Sequence, residues 1–325
     1  MSGITRASIA PPAARRASAA SRPAAPPLSV RRRLQLALAA LWLFDGVLQL
    51  QPYMFTKSFA QNIIAPAAAG NPAVIADPMT WAARIIAAHP APANAAFAAI
   101  QLALGLGIAW RPTARAALAC SIGWALGVWW FGEGLGGVLT GSDPLMGAPG
   151  VVILYALLAV LLWPSERPAP FPAAAAVGTR AAQALWLVLW GSGAYLVMQT
   201  ANTGPNDMHD MIAGMAGGQP RWLSWTDGRA AALVADRGMA ASVVLAVVLA
   251  AIALAVCLPA GPAQRATFVT ALIVALVIWV VGEALGMVIG GQGTDPNTGP
   301  LLMLIVAAYW PTRAAGPKSD QDGAA

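Results

Sequence analysis

Eight apolar runs, at 34–54, 93–110, 114–139, 149–163, 182–198, 239–258, 267–289 and 300–310, dominate this chain and leave it few ways to fold. A bilayer-crossing helix needs about 20 mostly apolar residues, and most of these runs approach that length. No stretch alternates apolar and polar residues between turn signals, which argues against a membrane β-barrel. Composition agrees, since 58% of the 325 residues are hydrophobic and only 10% are charged. A soluble domain carries about 25% charged residues, so a soluble enzyme is excluded, and the abundance of apolar surface excludes disorder over most of the length. Cys120 and Cys257 stand alone inside apolar runs, with no CxxC spacing to suggest a disulfide framework or a thiol redox pair. The expected fold is an all-α integral membrane protein with eight transmembrane helices.

Orientation follows from the placement of Lys and Arg. With the N-terminus in the cytoplasm, 14 basic residues fall inside and 5 (Lys57, Arg84, Arg221, Arg229 and Arg237) outside. Trp110, Trp163 and Trp310 then mark one inner boundary, as an aromatic belt would. Eight crossings return the C-terminus to the cytoplasm, and the expected location is the plasma (inner) membrane. Residues 1–33, rich in Ala, Pro, Ser and Arg, read as a disordered cytoplasmic arm whose Arg31, Arg32 and Arg33 anchor to anionic lipid. A twin-arginine export signal is the alternative. Against it, the following run leads into Trp42, Phe44 and Asp45 rather than a small-residue cleavage site.

The chain also repeats itself. Gly70-Asn71-Pro72 corresponds to Gly218-Gln219-Pro220, and Asn94 to Ser242. The segment from Trp129 to Gly136, containing Gly132-Glu133, matches that from Trp279 to Gly286, containing Gly282-Glu283. Asp143-Pro144 matches Asp295-Pro296, and Trp163-Pro164 matches Trp310-Pro311. Residues 34–164 and 182–311 therefore read as two four-helix repeats, joined by a cytoplasmic linker at 165–181 and followed by a tail at 312–325. An even number of crossings per repeat makes them parallel rather than inverted. In each repeat a long outer segment separates the first two helices. In the first, Asp77-Pro78 is expected to cap a short helix bearing Trp81, Ile85 and Ile86 on the outer membrane face, with Trp222, Trp225 and Leu233 in the corresponding place of the second.

Trp42-Leu43-Phe44-Asp45-Gly46 in the first helix, the outer segment, Gln101-Leu102-Ala103-Leu104-Gly105-Leu106-Gly107, and the basic turn Arg111-Pro112-Thr113-Ala114-Arg115 resemble the DoxX/DoxD/MauE-like four-helix membrane proteins, here in tandem. The resemblance covers each repeat, about 260 residues in all. It implies an accessory subunit or maturation factor for redox processes, quinone- or thiol-linked, at the outer face of the membrane. It further implies a redox partner protein outside the cytoplasm and a quinone as the cofactor to look for.

Chemistry is most expected at Glu133 and Glu283, because a carboxylate at membrane depth is costly and by default points to function. Each lies between glycines four apart, Gly132/Gly136 and Gly282/Gly286, a spacing that lets helices approach closely. A proton or cation relay and a polar anchor for a ligand are the sharp readings; a helix-locking hydrogen bond is the plain one. The run at 300–310 gives only roughly 16 Å of helix, so residues 290–297 should dip below the outer surface and open a cavity near Glu283, with a weaker counterpart near Glu133. Asp143 and Asp295 are candidates there, or else they initiate turns, as Asp-Pro commonly does. Asp45 lies near the middle of the first helix, with Gln49 or Gln51 as its expected partner. Met208, His209 and Met211 invite a copper reading, set against ordinary gap-filling by methionine. No nucleic-acid signature and no nucleophile motif appears, so no catalytic residue is assigned and an enzyme is not expected. Three functions follow from these readings: the redox accessory role, a proton-coupled carrier of a small solute or metal using the two glutamates, and a non-catalytic structural membrane protein.

Overall fold

The structure, a computed structural model, describes residues 28–311. The expected N-terminal arm and C-terminal tail lie almost wholly outside the described residues. Helices follow one another with no strand among the described residues. The order is α1 (Val30–Leu48), a one-turn α2 (Lys57–Phe59), α3 (Ala73–Ala88), α4 (Pro90–Ala109), α5 (Ala114–Phe131), α6 (Val151–Leu161), α7 (Pro172–Val177), α8 (Thr179–Val197), α9 (Asp207–Met215), α10 (Arg221–Val234), α11 (Gly238–Ala255), α12 (Pro262–Val277) and α13 (Thr298–Tyr309).

Four segments are long and apolar enough to cross a membrane: Pro90–Ala109, Arg111–Phe131, Gly238–Ala255 and Pro262–Gly282. That is half the expected number. Val151–Leu161 and Thr298–Tyr309 are apolar but short. The other two expected crossings, α1 and α8, begin with Arg31, Arg32, Arg33 and Gln35 or with Thr179, Arg180 and Gln183, which dilute their hydropathy.

Small residues set the closest helix crossing. A Cβ on Gly105 of α4 would come 2.8 Å from the Ala39 carbonyl oxygen of α1, and one on Gly46 would meet Leu102 at 2.7 Å. The α1 and α4 backbones therefore touch nearly directly, as small residues permit. In the middle of the molecule stand α6 and α13, whose Tyr155, Leu158, Ala159, Leu301, Ile305 and Val306 are fully buried. Trp42 stacks against Tyr155 with ring centroids 4.1 Å apart, and Trp186 against Tyr309 at 4.7 Å.

Three expectations are corrected here. Asp77 and Pro78 do not start a helix: α3 begins at Ala73, after Pro72, and runs through both. Trp81 and Ile85 are exposed while Ile86 turns inward. The 165–181 linker is not a plain connector, since its α7 buries Ala173, Ala174 and Ala175 in the core. Arg31 and Arg32 do not reach for lipid. The Arg32 guanidinium donates to the Ile108 carbonyl at 2.9 Å and to that of Ala109, at the C-terminus of α4. Arg31 donates to the carbonyls of Trp163, Ser165 and Pro172 after α6. The unsatisfied carbonyls and negative dipole end of a helix attract cations in this way.

Candidate functional site

Neither glutamate lies within a helix. The runs expected to continue to 139 and 289 break at Gly132 and Gly282, where the N–H of the next residue reaches back five positions, Glu133 to Val128 and Glu283 to Ile278. Left-handed residues follow, Leu135 and Gly136 at φ +57° and +63°, Leu285 and Gly286 at +57° and +71°. Glycine is required at 136, because a Cβ there would collide with the Pro149 carbonyl. These turns aim each carboxylate at the N-terminus of the next short helix, whose first N–H groups lack partners.

The two carboxylates are not equally satisfied. Glu283 is buried and accepts from Thr298 N and Gly299 N at 3.0 Å each, and from the Thr298 hydroxyl. Glu133 accepts from Val152 N at 3.3 Å, and its Oε2 is buried without a hydrogen-bond partner. A cavity opens beside Glu133. It encloses about 450 Å³.

Its walls are chiefly apolar, with Phe59, Trp81, Phe97, Trp124 and Phe131 among them. Phe97 and Trp124 are 5.7 Å apart. Polar groups converge on one side: Gln49 at the end of α1, Gln101 in α4, Glu133, and Thr294 and Asp295 from the loop before α13. Gln49 and Gln101 are 4% and 9% exposed, and the Oε1 of each has no partner. Exposed Ile63, Trp81, Ile85 and Phe131 border the mouth.

Asp295 makes the turn that its Asp-Pro sequence suggests, accepting from Asn297 N at 2.8 Å and the Thr294 hydroxyl at 2.7 Å. Asp295 nonetheless lines the cavity beside Glu133. Asp45, Glu133 and Asp295 all lie within electrostatic reach of the buried Tyr155 phenol, and Asp45 lies beside it. The expected partners of Asp45, Gln49 and Gln51, do not bond to its carboxylate; its Oδ1 is unpartnered. Gln51 instead donates to the Gly293 carbonyl at 3.0 Å and so holds the visiting loop.

Loop 143–149 makes the return visit. Leu145 packs on Gly282, and Gly147 lies against Asn297 and Glu283. Asp143 accepts from Leu145 N at 2.7 Å and its Oδ2 is unpartnered, in agreement with a turn-forming role. Asn202 donates to the Gly141 carbonyl at 2.8 Å, the counterpart of the Gln51 bond.

Of the residues in the copper reading, Met208 is buried in the core with Ile212, and His209 pairs with Asp210 at 2.8 Å on an exposed surface. Among the described residues no three His, Cys, Asp or Glu side chains are grouped to hold a metal ion. Sequence reasoning missed Gln101 and Tyr155. A glutamine in the middle of an apolar helix was the available signal for the first, and nothing marked the second. Comparison with protein-family models, curated proteins and solved structures finds no match.

Proposed function

We propose that this chain is a membrane-embedded binding protein for a small lipid-soluble molecule, held in the cavity beside Glu133. The observation that carries the reading is the pairing of an apolar cavity of about 450 Å³ with three buried, unpartnered side-chain oxygens on Gln49, Gln101 and Glu133. Ligand sites combine apolar walls with a few convergent polar groups in this way, whereas a buried polar group left free costs stability. A mouth bordered by exposed apolar side chains suits entry from the bilayer. An accessory role in a redox process at the outer face, with a quinone as one occupant and a protein outside the cytoplasm as partner, is the setting that the DoxX-like resemblance implies.

The two-repeat arrangement and eight crossings belong to the same proposal. They are supported by the shared turns after α5 and α12, by the pairing of α1 with α4 and α8 with α11, and by the reciprocal loops. A carrier reading is favoured by one observation, the three acids within electrostatic reach of Tyr155. It loses the paired glutamates as its device, since Glu283 is fully engaged in capping α13.

Gly127 lines the cavity, and a Cβ there meets nothing within 4 Å. Gly127→Leu should fill the space without disturbing the fold. Native mass spectrometry of lipids and small molecules released from the purified parent and from this variant tests the reading. A species retained by the parent and lost from Gly127→Leu is expected; identical spectra from both would sink it.

A further inference from the structure

We infer that the cavity beside Glu133 takes a lipid-soluble cation, an amine or quaternary ammonium carrying an aromatic or short alkyl body. The inference rests on the binding reading above and names the class of ligand. Glu133 and Asp295 come from separate elements and both line the cavity, and with Asp45 they lie within electrostatic reach of the buried Tyr155 phenol, yet no Lys, Arg or His pairs with any of them among the described residues. The ion pair that does form, His209 with Asp210, is at the surface. The arginines at the far end of α1 are occupied by helix carbonyls. Asp45 is buried and Glu133 and Asp295 are half-buried, and a cation from outside the chain supplies the counter-charge that the chain does not.

Two independent features of the cavity point the same way. Gln49 and Gln101 are at least nine-tenths buried, line the space, and leave Oε1 unpartnered. Trp81, Phe97 and Trp124 supply ring faces, which attract ammonium groups electrostatically. The place corresponding to Asp45 in the second repeat is held by a small residue, Ser192 or Gly193. A neutral quinone would find donors in Trp124 Nε1 and the side-chain amides of Gln49 and Gln101, but it would bring no counter-charge to the acids.

The test uses the full chain in zwitterionic nanodiscs with three radiolabelled probes: a phenylbutyl-trimethylammonium, its neutral carbon isostere, and a short-tailed benzoquinone. Empty nanodiscs give the baseline. The cation should bind at least about tenfold more tightly than its isostere, as an ion pair with ring contacts predicts. Asp295→Asn should weaken it by a similar factor, while Asp143→Asn leaves it unchanged; thermal unfolding checks that each variant is folded. Binding of the isostere or the quinone as tight as that of the ammonium overturns the charge assignment and leaves the binding reading intact. If no probe binds above the baseline, the binding reading itself fails.

Discussion

At the residue scale, the difference between the two glutamates separates a structural carboxylate from a candidate ligand group. Glu283 accepts three hydrogen bonds at the start of α13, and an amide in its place turns an N–H toward donors. Glu283→Gln should cost about 2 kcal/mol of stability, the scale of charged hydrogen bonds, with little effect on ligand retention. Glu133→Gln gives up one long bond and should cost under about 1 kcal/mol, but should reduce retention. Denaturant titration together with ligand retention measures both; equal destabilisation by the two would refute the distinction. Asp227 on α10 offers a second test. It is fully buried, both carboxylate oxygens lack partners, and burial pushes it up to about 6 from 3.8. Between pH 4 and 6 the unfolded chain releases this proton while the folded chain keeps it, so stability falls as pH rises through that window and levels off above it. Asp227→Asn should match the parent near pH 4 and unfold at a higher temperature at pH 7. A difference in midpoint that does not change with pH would rule this out.

At the element scale, much of the molecule was legible from apolar periodicity and loop charge, but the ends of helices were not. The Gly-Leu-Gly-Gly turn after Glu133 is as apolar as the helix before it, so hydropathy carried the run onward to 139. What ends the helix is conformational, glycines that accept positive φ and a carboxylate that serves the next helix. The glycines at 132 and 136 looked like a crossing motif, yet the true crossing is at Gly46 and Gly105, which no spacing rule singled out. Gly105→Val should cost at least about 1–3 kcal/mol, because its Cβ would press on Ala39 backbone and Leu43 and force α1 from α4. Thermal unfolding in detergent reads this, with Gly123→Ala as the comparison because a Cβ there meets nothing within 4 Å. Equal melting of the two variants would show that the α1–α4 contact is looser than its geometry. The site was legible only in part for a related reason. Asp295 could be picked out as an unusual acid, but that it serves the opposite half depends on how the halves meet, which no local pattern records.

At the scale of the whole molecule, the open question is why four segments meet the length and composition of a membrane span where the repeat calls for eight. Helices α6 and α13 have 11 and 12 residues, roughly 16–18 Å against a hydrocarbon core of about 30 Å. They stand at the centre, enclosed by protein, and each is preceded by a loop held against the other half. Irregular backbone is tolerated at membrane depth when protein encloses it, so the eight-crossing proposal counts each short helix together with its loop. Likewise α1 and α8 bury their polar ends on neighbouring helices: Gln35 donates to the Leu162 carbonyl at 2.8 Å and Gln183 to that of Val256 at 3.2 Å. The two crossing counts differ at one place that can be reached. If all eight segments cross, Glu166 lies on the opposite side from Ser58 and Thr226; if only the four long ones cross, all three share a side. Single cysteines at these positions, with Cys120 and Cys257 replaced by serine, should react with a membrane-impermeant maleimide in intact cells at 58 and 226. Position 166 should react only after permeabilisation. Reaction at all three in intact cells would remove α1, α6, α8 and α13 from the set of crossings, and with them the outward placement of the Glu133 cavity.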